Sequence, residues 1–147
     1  MNIVIAPDSF KGSISSLEAA KAISLGINNV LPNTNIDIIP IADGGEGTIE
    51  SLVYSTQGQM IEVLVSDPLG RKINAQYGVL GNTKTAIVEM SVASGITLLS
   101  KEELNPLYTS TYGTGQIIHK ALDDGFNEFI VCIGGSATND GGTGMAQ

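Results

Sequence analysis

Two short apolar runs, Asn2 to Ala6 and Ile36 to Ile39, are each followed by a polar loop and then by apolar residues at helical spacing. Strand, loop, helix, repeated twice, predicts a parallel sheet with crossover helices. Asn2-Ile3-Val4-Ile5-Ala6 suits a strand buried on both faces. In the helix that follows, Leu17, Ala20, Ile23, Ile27 and Val30 share a face, Ser15 with Glu18 forms a capping box, and Pro32 ends the run. The second strand closes at Pro40. Ile49, Leu52 and Val53 then continue as a short helix that Gly58 can end in the left-handed conformation. Ligands gather at the carboxyl ends of strands in open parallel sheets, so the loops at 7–13 and 42–48 are expected on one rim.

The pattern changes after Gly58. Ile61-Glu62-Val63 and Ile73 to Val79 alternate with period two around the turn Asp67-Pro68-Leu69-Gly70-Arg71, which predicts a hairpin, and a third strand runs from Thr85 to Met90. A meander in place of a crossover helix points to a second unit, so residues 1–60 and 61–147 are read as parts of two units. A further helix, carrying Ile117, Ile118, Ala121 and Leu122, is expected between Tyr112-Gly113-Thr114-Gly115 and Gly125. The last strand is placed at 127–133.

Seven basic and fifteen acidic side chains give a net charge of −8, which repels a nucleic-acid backbone. An acidic chain that handles phosphates must do so locally, with backbone amides, a lysine or two and a divalent cation. Cys132 has no second cysteine to pair with, and His119 no second histidine, which excludes a disulfide framework and a histidine metal site. The N-terminus lacks signal-peptide character and no apolar run is long enough to span a membrane, so a cytoplasmic protein is expected.

Three loops carry candidate chemistry. In Asp8-Ser9-Phe10-Lys11-Gly12-Ser13, Lys11 can meet a phosphate or carboxylate as a point charge. Asp8, or Asp43 or Glu46 of Asp43-Gly44-Gly45-Glu46-Gly47-Thr48, can hold Mg²⁺ or accept a hydroxyl proton. The structural alternative makes these acids helix caps and the glycines turn residues. The third loop, Gly134-Gly135-Ser136-Ala137-Thr138-Asn139-Asp140-Gly141-Gly142, is neither a Walker loop nor a Rossmann fingerprint. Its glycines and a following helix N-terminus suit an anion. A helix begun at Thr138 to Asp140 would have only about five residues, against roughly 12 for an ordinary one, so the chain is expected to be cut short. Gly113-Thr114-Gly115 repeats the idea more weakly. Glu89, at the end of an apolar strand, needs either a functional role or a structural partner.

Taken together, IVIAPDSFKGS (3–13), PIADGGEGT (40–48), DPLGR (67–71), VEMSVASG (88–95), Asn105 with TYGTG (111–115) and IGGSATNDGG (133–142) resemble the bacterial glycerate kinase family of the glyoxylate and glucarate pathways. The motifs stand in the family's order throughout the chain. The resemblance implies ATP-dependent phosphorylation of D-glycerate, commonly at the 2-hydroxyl, with Mg²⁺ accompanying the nucleotide. It implies an α/β architecture, with a flavodoxin-like parallel-sheet unit and the start of an inserted, restriction-endonuclease-like unit. Family members are more than twice as long, so an N-terminal part of the enzyme is expected. Lys11 would meet the substrate carboxylate or the transferring phosphate, and Asp43 or Asp8 the hydroxyl proton or metal. Ser9, Gly44, Gly45 and Glu46, with Gly134, Gly135, Ser136, Thr138, Asn139 and Asp140, would hold glycerate or phosphates. Glycerate and ATP are the expected partners, with no nucleic acid or membrane, and the oligomeric state is left open. The rival reading is a catalytically inactive remnant that retains a partial anion or nucleotide site.

Overall fold

The computed structural model describes residues 1–147 except Lys11, Gly12 and Asn82. Strands β1 (Asn2–Ile5) and β2 (Asn35–Ile38) pair in parallel, Asn2 opposite Asn35 and Ile5 opposite Ile38. Between them runs α1 (Ser16–Val30), opened by the anticipated capping box: Ser15 Oγ accepts the Glu18 amide at 3.2 Å, and Glu18 Oε2 accepts the Ser15 amide at 3.0 Å. Reciprocal caps satisfy two otherwise orphaned donors, which fixes where the helix starts. Helix α2 (Thr48–Thr56) follows β2 and begins after Gly47, whose φ of 88° is left-handed.

At the end of α2 the structure departs from expectation. Gln57, at φ 55°, takes the left-handed position assigned above to Gly58. Gly58 is required for a different reason, because a Cβ there would lie 2.0 Å from the Val79 carbonyl oxygen. The chain therefore passes tightly against the neighbouring strand at this glycine.

Strands β3 (Gln59–Ser66), β4 (Lys72–Val79) and β5 (Thr85–Glu89) form the antiparallel meander, and β6 (Glu128–Cys132) adds to β5 in parallel, giving the order β3-β4-β5-β6. The hairpin turn is organised by Asp67, which accepts the amides of Leu69 and Arg71, both at 2.9 Å, while Gly70 takes φ 87°. Between β5 and β6 lie α3 (Ser91–Ser94) and α4 (Tyr112–Asp123). Val65, Tyr77, Val88, Ile117 and Ala121 form the main core under α4, while Ile49, Ile87 and Cys132 pack beneath α2.

Two further expectations change. Gly113 and Gly115 lie inside the first turn of α4 rather than before it. A Cβ on Gly113 would sit 1.9 Å from the Ser66 carbonyl oxygen, and one on Gly115 2.4 Å from that of Met145, so both glycines serve close backbone packing. The strands are also less enclosed than a doubly covered sheet requires. Val4 is 60% exposed, and Ile130 and Val131 are 39% and 43% exposed. Among the described residues, one face of β1 has no covering layer, and the adjacent Ile130 and Val131, which point to opposite faces of β6, are both open to solvent.

Candidate functional site

Because β1 runs parallel to β2, and β5 to β6, each pair delivers its carboxyl ends to the same side. All four ends meet at one cavity of about 270 Å³, lined by Asp8 and Ser9 after β1, Asp43, Gly45 and Glu46 after β2, Ser91 after β5, and Gly134 and Gly135 after β6, with Ile96 and Thr97 closing it. Three of the motifs singled out in the sequence thus share one wall. Topology brings them together, as the strand-end rule anticipates.

Asp8 Oδ1 accepts the Ser9 amide at 2.6 Å and Asp43 Oδ1 accepts the Gly45 amide at 2.9 Å. Each turn fixes one carboxylate oxygen. Among the described residues the second oxygen of each accepts nothing, so both side chains keep an acceptor for a ligand or a proton. Both are exposed. Lys11, expected to supply the positive charge, lies outside the described residues.

Glu89 resolves to a definite structural role. Only 2% exposed, it accepts the Gly47 amide at 3.2 Å, the Ile49 amide at 3.1 Å and the Ser91 hydroxyl at 2.5 Å. The buried carboxylate caps α2 from the neighbouring strand end and ties the 43–48 loop to β5. Burial, followed by the nearby Glu89 charge, pushes the Cys132 thiol above its ordinary value. Such a thiol is a poor nucleophile.

The glycine loop divides into two parts. Gly134 donates its amide to the Gly44 carbonyl at 2.8 Å, and a Cβ on it would lie 2.6 Å from Gly45 Cα. The two glycine loops therefore touch backbone to backbone, and this amide is committed to the fold. Gly135, at φ 73°, gives its carbonyl to the Ile96 amide at 2.9 Å.

Beyond it the chain leaves the cavity. Ser136 Oγ accepts the Thr138 amide at 3.0 Å and lies 2.8 Å from Thr138 Oγ1. Asn139 is exposed, and none of Ser136, Thr138, Asn139 or Asp140 lines the cavity. Asp140 instead accepts the amides of Thr111, Gly142 and Gly144 at 2.8, 2.9 and 3.3 Å. The expected helix after Thr138 is a series of hydrogen-bonded turns, because Gly141 and Gly142 take φ 63° and 77°.

Sequence reasoning did not select Ser91, Ile96 or Thr97. Ser91 stands two residues after Glu89 in the same VEMSVASG block, a spacing that offered the one available signal. A larger cavity, about 620 Å³, opens between β3, α4 and residues 144–147. None of the carboxylates of the strand-end loops lines it, so its size alone does not make it the better candidate.

A mixed α/β fold with glycine and carboxylate loops at converging strand ends belongs to the class of α/β proteins whose strand ends form ligand clefts. Residues 3–147 match the glycerate kinase family, to which the chain belongs. It is 57% identical over 145 residues to a glycerate kinase of Halalkalibacterium halodurans, covering 99% of this chain and 38% of that protein. Against a glycerate 2-kinase of Escherichia coli K12 it is 49% identical over 147 residues, covering 100% of this chain and 39% of the relative. The crystal structure of a Salmonella typhimurium LT2 protein assigned as glycerate kinase 2 superposes with a TM-score of 0.82 at 48% identity, covering 99% of this chain and 39% of that one. The chain thus spans about two-fifths of the length of these relatives.

Proposed function

We propose that these residues form part of an enzyme that transfers the terminal phosphoryl group of ATP to D-glycerate, at the 2-hydroxyl. The observation that carries this reading is the meeting of Asp8, Ser9, Asp43, Glu46 and Gly134 around one cavity at four strand ends. Its volume of about 270 Å³ suits a small hydroxy acid. The names of the relatives, one of them a 2-kinase, supply the substrate class and the position.

Phosphoryl transfer depends on placement and charge neutralisation more than on covalent chemistry. Asp43 or Asp8, each with an uncommitted carboxylate oxygen, accepts the proton of the attacking hydroxyl. The described lining contributes three carboxylates and no cation, so Lys11 is the residue proposed to meet the anionic substrate. Among the described residues no group of three or more His, Cys, Asp or Glu could hold a metal unaided. Mg²⁺ held by one or two carboxylates and the nucleotide phosphates needs no such cage, and Asp8, Asp43 and Glu46 fit that donor set. Bound there, it would offset phosphate charge.

The separation of β1-β2 from β3-β4-β5-β6 supports reading residues 1–60 as part of a flavodoxin-like unit and 61–147 as part of an inserted, restriction-endonuclease-like one. The test of function is ADP release by the complete protein with ATP, Mg²⁺ and D-glycerate, with the product position assigned by phosphorus NMR. Glycerate-dependent release yielding 2-phosphoglycerate is expected. No glycerate-dependent release would overturn the reading.

A further inference from the structure

Ser91 lines the candidate cavity although it is only 5% exposed. Its hydroxyl donates to Glu89 Oε1 at 2.5 Å. Glu89 also accepts the Gly47 and Ile49 amides, so three donors converge on this buried side chain. A serine hydroxyl carries one hydrogen and two lone pairs. With its hydrogen committed to Glu89 Oε1, the oxygen can offer the cavity only lone pairs. Among the described residues, no donor reaches that oxygen.

We infer that Ser91 is a specificity-determining residue that accepts a hydrogen bond from a hydroxyl group of the bound substrate, an inference that rests on the glycerate reading above. The chemistry selects among parts of the substrate. A carboxylate or phosphate oxygen facing Ser91 would set acceptor against acceptor, whereas an alcohol brings the missing donor. The hydroxyl in question is the one that is not phosphorylated, since the attacking hydroxyl surrenders its proton. Gly135 adjoins the same place: a Cβ on it would lie 3.2 Å from Ser91 Cβ, so its lack of a side chain limits crowding around Ser91.

The experiment compares D-glycerate with its two singly deoxygenated analogues, D-lactate and 3-hydroxypropanoate, as substrates of the complete protein. The informative analogue is the one that keeps the phosphorylated hydroxyl. Ser91→Ala and the nearly isosteric Ser91→Cys are both used, so that a folding defect in one leaves the other decisive, and circular dichroism selects folded variants. Each is expected to lose about tenfold in kcat/KM on glycerate, mainly through KM, while changing little on the analogue. Equal losses on both substrates, or no loss on glycerate, would overturn the assignment of Ser91 while leaving the kinase reading intact. Absence of glycerate turnover in the wild-type protein would overturn that reading, and this inference with it.

Discussion

Asp140 clamps Thr111 from the far end of the glycine loop, accepting its backbone amide at 2.8 Å and its hydroxyl at 2.9 Å on the same oxygen, Oδ2. Thr111 is 1% exposed and its Oγ1 in turn accepts the Met145 amide at 2.9 Å. The acid thus joins three segments, and its acceptor capacity is spent within the fold. Removing it in Asp140→Ala strands the Thr111, Gly142 and Gly144 amides. Leaving buried donors unsatisfied costs about 1–3 kcal/mol. Urea unfolding of the variant is expected to show a midpoint lowered accordingly at unchanged slope, and a wild-type midpoint would refute the clamp.

Acid should reveal the same contact together with a second one. Burial pushes the Asp140 carboxyl up, but the Thr111, Gly142 and Gly144 hydrogen bonds outweigh it and hold it below the usual range. Asp67 is held down in the same way against burial, by Arg71 and by the Leu69 amide. A depressed folded value means that the unfolded chain takes up protons first as pH falls. The stabilisation is therefore complete above the ordinary carboxylate range, about pH 4, and is lost as pH drops through the folded values. Thermal midpoints are expected to fall below about pH 4. Asp67→Asn should flatten that fall, and an unchanged profile in this variant would remove Asp67 as a cause.

The order of elements was legible in the sequence because period-two and helical spacing survive in the residues themselves. Ser15 and Glu18 announced the start of α1, and the Asp67 turn marked the hairpin. What remained hidden depended on neighbours distant in sequence. Gly58 and Gly113 read as punctuation, yet each is explained by a carbonyl on another strand, Val79 and Ser66. The site was legible in the same partial way. Strand-end topology predicted that Asp8 and Asp43 would share a rim, whereas the withdrawal of Asp140 to Thr111 requires a contact 29 residues away. Ser91 offered only its place two residues beyond Glu89, and its role depends on the Glu89 contact and the cavity that the folded strand ends create.

Contact between the two glycine loops makes a sharp prediction about Gly134. A methyl group there would press to 2.6 Å from Gly45 Cα and 2.8 Å from the Gly44 carbonyl, both backbone atoms that no rotamer change can move. Gly134→Ala should therefore separate the loops and cost about 1–3 kcal/mol, as overpacking does elsewhere. Gly26→Ala is the control, since nothing lies within 4 Å of a Cβ at that helical position. Denaturation midpoints of the two variants should differ clearly. Equal midpoints would mean that the loops yield more easily than their geometry indicates.

The proposed division of labour in the cavity rests on Asp43 and Asp8, and their substitutions distinguish a base from a positioning group. Asp43→Asn can keep the hydrogen bond from the Gly45 amide, because an amide oxygen accepts as a carboxylate oxygen does, but it cannot take a proton from an attacking hydroxyl. If Asp43 is the base, turnover by the complete protein should fall at least about 100-fold, equivalent to about 2.7 kcal/mol of transition-state stabilisation. Its KM for glycerate should change far less. Lys11→Ala, by contrast, should raise the KM for the anionic substrate as well as lower kcat. If Asp43→Asn retains near-native turnover while Asp8→Asn loses it, the proton acceptor is Asp8. Near-native turnover in both would remove the two carboxylates from the chemistry and leave the cavity a binding cleft alone.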